Sequence, residues 1–88
     1  MPGISASELK NLLKNDPADV CLIDVREDSE FSEIRIRGSK NLPMGSLTAE
    51  GKGIDWLKTV VFVCRSGARS GRVVQAYSEM GKPALNLE

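Results

Sequence analysis

The 88-residue chain contains no histidine. That excludes Ser-His-Asp and Cys-His catalysis, because both need an imidazole to take the proton of the nucleophile. Its two cysteines are too few for a disulfide scaffold, and a reducing compartment fits such sparse use. They are also too few for a thiolate-only structural zinc site, so no metal is expected. Aromatic residues make up only 5% of the chain, and the basic residues form no long run. Nucleic acid is therefore not an expected partner. No apolar run approaches the roughly 20 residues that a membrane-spanning helix requires. Met1-Pro2-Gly3-Ile4 lacks the basic and apolar segments of a signal peptide, so the expectation is a cytoplasmic protein with no membrane partner.

What is present is ordinary in bulk and uneven in detail. A chain of this length is expected to form one domain, residues 1–88, with 41% apolar and 27% charged residues. The net charge is zero, but its distribution is skewed. Residues 1–33 set Lys10, Lys14 and Arg26 against Glu8, Asp16, Asp19, Asp24, Glu27, Asp28, Glu30 and Glu33, a net of −5. Residues 58–82 set Lys58, Arg65, Arg69, Arg72 and Lys82 against Glu79, a net of +4. The positive charge gathers around Cys64, which favours a small anionic ligand.

Strand and helix patterns alternate. Gly3-Ile4-Ser5 reads as a short edge strand, and Ser5 with Glu8 matches a capping box ahead of Leu9, Leu12 and Leu13. Asn15-Asp16-Pro17 stops that helix. Residues 20–25 form a continuous apolar run interrupted only by Asp24, the pattern of a strand buried on both faces. A short helix is expected over Asp28–Ile34, anchored by Phe31 and Ile34, and a short strand over Asn41–Pro43. Residues 44–53 read as a mobile loop, and Ile54–Leu57 as one helical turn. A second apolar strand covers 60–63. A helix is expected over Ala68–Met80, with Val73, Ala76, Tyr77 and Met80 on one face and Gly81 and Pro83 as stop signals. Residues 84–87 read as the last strand. The alternation predicts an α/β fold with a mostly parallel central sheet flanked by helices on both faces. Ligands of such sheets bind beyond the carboxyl ends of the strands, where Asp24 and Cys64 both fall.

The stretch Cys64-Arg65-Ser66-Gly67-Ala68-Arg69-Ser70 carries the chemistry. A cysteine ends an apolar strand, and a small loop leads directly into a helix. That order places a thiol among backbone N–H groups at a helix start, with arginines alongside, a setting that stabilises a thiolate and the anion it attacks. Without histidine, these groups are the available means of activating Cys64 as a nucleophile. The competing reading of Cys64 is a packed strand-end thiol. Cys21, inside its apolar strand, reads as a packed, inert thiol. Arg65 suits substrate steering or a solvated side chain, and Arg69 suits loop bracing or substrate contact. Ser66 and Ser70 suit local hydrogen bonds or caps, with either hydroxyl in reach of the sulfur. Gly67 supplies backbone geometry. Asp24 and Arg26 suit an acid and a substrate clamp, or an ion pair that fixes the neighbouring loop. Trp56 reads as a packing residue. Arg35, Arg37 and Lys40 read as a solvated face, or as a docking patch for an acidic partner.

These residues resemble the rhodanese-like domain family. Cys64–Ser70 is similar to its active-site loop, Leu22-Ile23-Asp24-Val25-Arg26-Glu27 to its first motif, and Glu30-Phe31 with Gly38–Pro43 to its second. The resemblance runs from about Ile4 to the end of the chain. It implies a single-domain sulfurtransferase that takes a sulfane sulfur from thiosulfate or a similar anion onto Cys64, releases sulfite, and passes the sulfur to a thiol or cyanide. No cofactor is implied. The backbone amides of Arg65, Ser66, Gly67, Ala68 and Arg69 are implied as the anion cradle, with Asp24, Arg26 and Ser70 in support. Related phosphatases and arsenate reductases, the first alternative, have one more residue between the cysteine and the closing arginine than the four between Cys64 and Arg69. A non-catalytic interaction module is the second alternative. Two departures stand out. Ile34-Arg35 replaces a Gly-His pair common in the family, and the family's last helix is missing after Glu88. That second departure leads to the expectation of a truncated, minimal or partner-completed domain, its exposed apolar face covered by a second copy or a partner domain.

Overall fold

The two apolar runs form the centre of the sheet. The computed structural model describes residues 2–88. In chain order it contains β1 (Gly3–Ile4), α1 (Ala6–Asn15), β2 (Val20–Asp24), α2 (Asp28–Glu33), β3 (Lys40–Asn41), β4 (Thr59–Val63), α3 (Ala68–Glu79) and β5 (Leu85–Leu87). The strands lie in the order β1-β5-β4-β2-β3, and every pairing is parallel. The expected α/β architecture is therefore present, with a sheet that is wholly parallel. β2 and β4 are central and pair over their full lengths, from Val20 opposite Thr59 to Asp24 opposite Val63. That register puts the end of the first motif beside the start of the Cys64 loop.

Alternation along β2 and β4 divides the core between two faces. Ile23, Val60 and Phe62 point to one face and pack with Val73, Val74 and Tyr77 of α3. Leu22, Val61 and Val63 point to the other and pack with Ile4, with Leu9 of α1, and with the half-buried Leu12 and Leu13. Helices thus cover both faces, as strands apolar on both sides require. α1 is capped as expected. The Ser5 hydroxyl accepts from the Glu8 amide at 3.1 Å, and the Glu8 carboxylate accepts from the Ser5 amide at 3.0 Å. Beside α1 lies an open apolar cleft of about 250 Å³, lined by Leu9, Leu13, Ile36 and Leu87 among others. Among the described residues, no helix is long and apolar enough to cross a membrane.

Four local expectations need correction. Ile34 does not anchor α2: the helix ends at Glu33, Ile34 turns extended, and its side chain is 73% exposed. The buried stripe of α3 is Ser70, Val73, Val74 and Tyr77, whereas Ala76 and Met80 are exposed. Residues 54–57 form turns and no helix. The segment 44–53 is tied down: the Tyr77 hydroxyl donates to the Thr48 carbonyl at 2.7 Å, and Trp56 Nε1 donates to the Gly51 carbonyl at 3.2 Å. Gly51 is buried with φ 70°, and a Cβ there would strike the Trp56 indole. Trp56 packs edge-on against Tyr77, with centroids 5.0 Å apart, and Tyr77 stacks on Phe62 at 5.8 Å.

Candidate functional site

The sheet's carboxyl edge gathers the residues singled out in the sequence. β4 ends at Val63, and the loop from Cys64 turns into α3 through Gly67, whose φ of 86° lies in the left-handed region. That conformation, rather than lack of space, favours glycine at this position: a Cβ on Gly67 would make only ordinary contacts, the nearest with the Leu87 carbonyl oxygen at 3.5 Å. The turn folds the chain back over the thiol. Cys64 Sγ accepts from the Gly67 amide at 3.1 Å, from the Ser70 amide at 3.4 Å, and lies 3.2 Å from the Ser70 hydroxyl. The first amides of a helix have no intrahelical acceptors and are free to serve an anion.

Two effects oppose each other at the sulfur. Burial alone pushes the Cys64 thiol up. The Ser70 hydroxyl and the amides of Ser70, Ser66 and Gly67 outweigh it, and the thiol is left below its ordinary value. A lowered thiol on a half-buried cysteine is the setting of a nucleophile rather than of a packed side chain. Cys21 is also a free thiol and packs against the core on the α3 face.

The sulfur opens into a cavity of about 300 Å³, lined by Asp24, Arg26, Arg35, Arg65 and the apolar Ile34, Ile36, Val63 and Leu87. Asp24 and Cys64 therefore line one cavity, although they are 40 positions apart. Three guanidinium groups face this space in different electrostatic states. Arg26 is held by Asp24 through Nε and Nη2, with the ion pair at 2.8 Å, and Nη2 also donates to the Ile34 carbonyl at 2.6 Å. Arg35 lies over the Phe31 ring, 4.9 Å from its centroid. Arg65 is exposed and has no hydrogen-bond or ion-pair partner among the described residues, so its charge is available to a ligand. Arg37 is exposed, and Lys40 Nζ donates to the Gly53 carbonyl at 3.0 Å. The Ser66 hydroxyl accepts from the Ala68 amide at 3.4 Å, a local bond within the loop, and α3 has no side-chain cap. Among the described residues, no three Cys, Asp or Glu side chains cluster as metal ligands.

Arg69 is turned toward α2, where it makes a two-pronged pair with Glu30, Nη1 to Oε1 at 2.9 Å and Nη2 to Oε2 at 3.1 Å. The pair crosses 39 positions of sequence and ties the start of α3 to α2. Glu30 is a site residue that the sequence reading missed as such. So is Asn86 of β5, whose amide meets both Ser70 and Gly67. For Asn86 the signal in the sequence is a polar residue between Leu85 and Leu87 in a strand.

The Arg69 guanidinium, helped by the Glu27 amide, holds the Glu30 carboxyl down to about 2. In the unfolded chain the group protonates near its ordinary 4.5. The stabilisation from its charge is thus complete above that value and is lost as the pH falls toward 2. The pair is partly exposed, so the effect is modest. Glu30→Gln is expected to melt at most a few degrees below the parent near neutral pH, with the gap closing in acid. Melting curves across that range check this, and a gap independent of pH would remove the carboxylate's charge from the account.

Known proteins are similar to this chain in sequence and in fold. The chain is 38% identical over 85 residues to YtwF of Bacillus subtilis, provisionally described as a sulfurtransferase, covering 97% of this chain and 82% of that one. It is 36% identical to the thiosulfate:glutathione sulfurtransferase of Saccharomyces cerevisiae, covering 94% and 69%. The crystal structure of a rhodanese-like domain protein from Staphylococcus aureus superposes with a TM-score of 0.87 at 32% identity, over 100% of this chain and 85% of its own. The family model for the rhodanese-like domain matches residues 5–88, and on that match, over nearly the whole sequence, the protein belongs to the rhodanese-like domain family.

Proposed function

We propose that the protein is a sulfurtransferase that carries a sulfane sulfur as a persulfide on Cys64, loaded from a thiosulfate-like anion and unloaded to a thiol or cyanide. The observation that carries this reading is the sulfur itself, held by two amides and a hydroxyl at the mouth of a cavity lined by three arginines. The Cys64 thiolate attacks the outer sulfur of the donor. A new S–S bond forms, the donor's own S–S bond breaks, and sulfite leaves with the electron pair. Arg65 and Arg35, which both line the cavity, steer the dianionic donor. The persulfide's outer sulfur then carries the negative charge within the amide cradle of residues 65–69, as an oxyanion is held elsewhere. An acceptor thiolate attacks that outer sulfur and leaves with it, restoring the Cys64 thiolate. Asp24 and Arg26 support the loop, and Arg69 braces α3 through Glu30.

The sulfurtransferase names of the relatives support this chemistry, and the yeast relative's name includes a thiol acceptor. The expected result is a mass gain of one sulfur atom on Cys64 after incubation with thiosulfate, lost on adding cyanide. Intact-mass measurement reads both steps. No gain, together with Cys64-dependent hydrolysis of an aryl phosphate, would favour the phosphatase alternative. No gain and no hydrolysis would favour a non-catalytic module.

A further inference from the structure

The Ser70 hydroxyl has a single hydrogen and two acceptors. Its Oγ lies 3.2 Å from Cys64 Sγ and 2.5 Å from Asn86 Oδ1. Ser70 is fully buried and Asn86 is 7% exposed, so solvent does not stand in for either partner. The Asn86 amide has one workable orientation. Nδ2 donates to the Gly67 carbonyl at 3.2 Å, and reversing the amide would set Oδ1 against that carbonyl, oxygen against oxygen. The acceptor end therefore faces Ser70.

From this geometry we infer that Asn86 is a positioning residue for Cys64, acting by competing with the sulfur for the one proton of the Ser70 hydroxyl. The inference concerns how the thiolate of the proposed sulfurtransferase is controlled, and it rests on that reading for its purpose. With Cys64 protonated, the S–H points to Ser70 Oγ and the Ser70 O–H points to Asn86 Oδ1, so every donor has an acceptor. When the thiol proton leaves to water, the two needs conflict. If the Ser70 hydroxyl turns to the sulfur, Asn86 Oδ1 is left facing a lone pair. If it stays on Asn86, the thiolate keeps the backbone amides and loses the hydroxyl. An unmatched buried acceptor is costly, so Asn86 holds the bare thiolate back. In the persulfide the charge moves out to the second sulfur, the inner sulfur is neutral, and the Ser70 proton returns to Asn86 without loss. Asn86 thus disfavours the empty thiolate against the loaded state, and β5 takes part in sulfur loading without touching sulfur.

The charged groups around Cys64 are the Asp24–Arg26 pair at the end of β2, the Glu30–Arg69 pair joining α2 to α3, Arg65 in the loop and Arg35 in the cavity lining. All are retained in the variants below, so a difference between variants reports the Ser70–Asn86 pair. The test is the pH dependence of iodoacetamide alkylation at Cys64, read by peptide mass so that Cys21 does not contribute. Asn86→Ala is expected to move the midpoint down by about 0.5–1 pH unit, the scale of one hydrogen bond. Ser70→Ala is expected to move it up. In the Ser70→Ala background, Asn86→Ala is expected to change nothing further. An upward move in Asn86→Ala, or the same downward move in the double variant, would overturn the inference, because a loosened loop does not depend on the Ser70 hydrogen. Asn86→Val, which suits a strand, repeats the test if the alanine variant is unstable. In the unaltered protein, the Asn86 side-chain amide signals must titrate together with Cys64 reactivity, and signals that stay fixed overturn the inference without any variant. No sulfur donor is used, so failure here and failure to gain sulfur from thiosulfate are separate outcomes.

Discussion

Cys64→Ser is expected to lose sulfur transfer by about 10³-fold or more while the fold persists. The two atoms differ little in shape and greatly in chemistry. A serine hydroxyl does not ionise in the range where a thiol does, and it forms no persulfide. The groups that lower the thiol, burial notwithstanding, are the Ser70 hydroxyl and the amides of Ser70, Ser66 and Gly67. All remain in the variant, but a neutral hydroxyl leaves them no anion to stabilise. The fold has little stake in the sulfur. Cys64 is half-buried and packs against the α3-side core without belonging to it, whereas Val60, Val61, Phe62 and Val63 of β4 are buried. Activity with thiosulfate and cyanide, measured beside a melting curve, checks both halves. Full activity in the serine variant would remove the persulfide from the mechanism. Loss of activity through unfolding would show as an early melt, and the mass gain on the unaltered protein then decides the role of Cys64.

The features written locally in the sequence were the easiest to read. The Ser5–Glu8 capping box, the stop at Asn15-Asp16-Pro17 and the two apolar strands depend on neighbours a few positions apart, and all appear as expected. The Cys64 loop is local too, because strand, thiol, glycine and helix start follow one another directly. Periodicity misled where the site changed what is buried. The apolar residues of α3 predict one stripe, yet the buried face begins at Ser70, which is polar, fully buried and in contact with the sulfur. Ile34 is apolar and suits an anchor, but the helix has already ended at Glu33. Glu30 and Asn86 lay beyond local reading. Their partners are 39 and 16 positions away, and only the parallel sheet order brings them together. The motif similarity marked the position of Glu30 without giving its contact.

Asp24→Ala is expected to cost about 2–3 kcal/mol and to lower the melting temperature by about 10–20 °C in a domain of this size. Asp24 is 2% exposed at the end of β2, where an isolated carboxylate would be strongly disfavoured. Arg26 makes its burial tolerable, through Nε and Nη2 and through its own backbone amide at 2.9 Å. Removing the carboxylate leaves the guanidinium without its counterion. Breaking a fully buried pair costs about 3–5 kcal/mol, but the Arg26 side chain is 14% exposed and can turn into the cavity, which lowers the figure. The consequence for function follows from what Arg26 holds. Its Nη2 fixes the Ile34 carbonyl, and Asn41 Nδ2 bridges the carbonyls of Asp24 and Arg26, so one wall of the Cys64 cavity depends on this turn. Asp24→Asn keeps the shape and one acceptor oxygen but loses the charge and turns the second acceptor into a donor, so it is expected to fall between parent and alanine variant in stability. Thermal melts of the three proteins, with sulfur transfer measured well below each melt, separate the two effects. A normal melt in Asp24→Ala would mean that the pair does not stabilise the fold, and an unchanged rate in a destabilised Asp24→Ala would mean that the cavity wall does not depend on it.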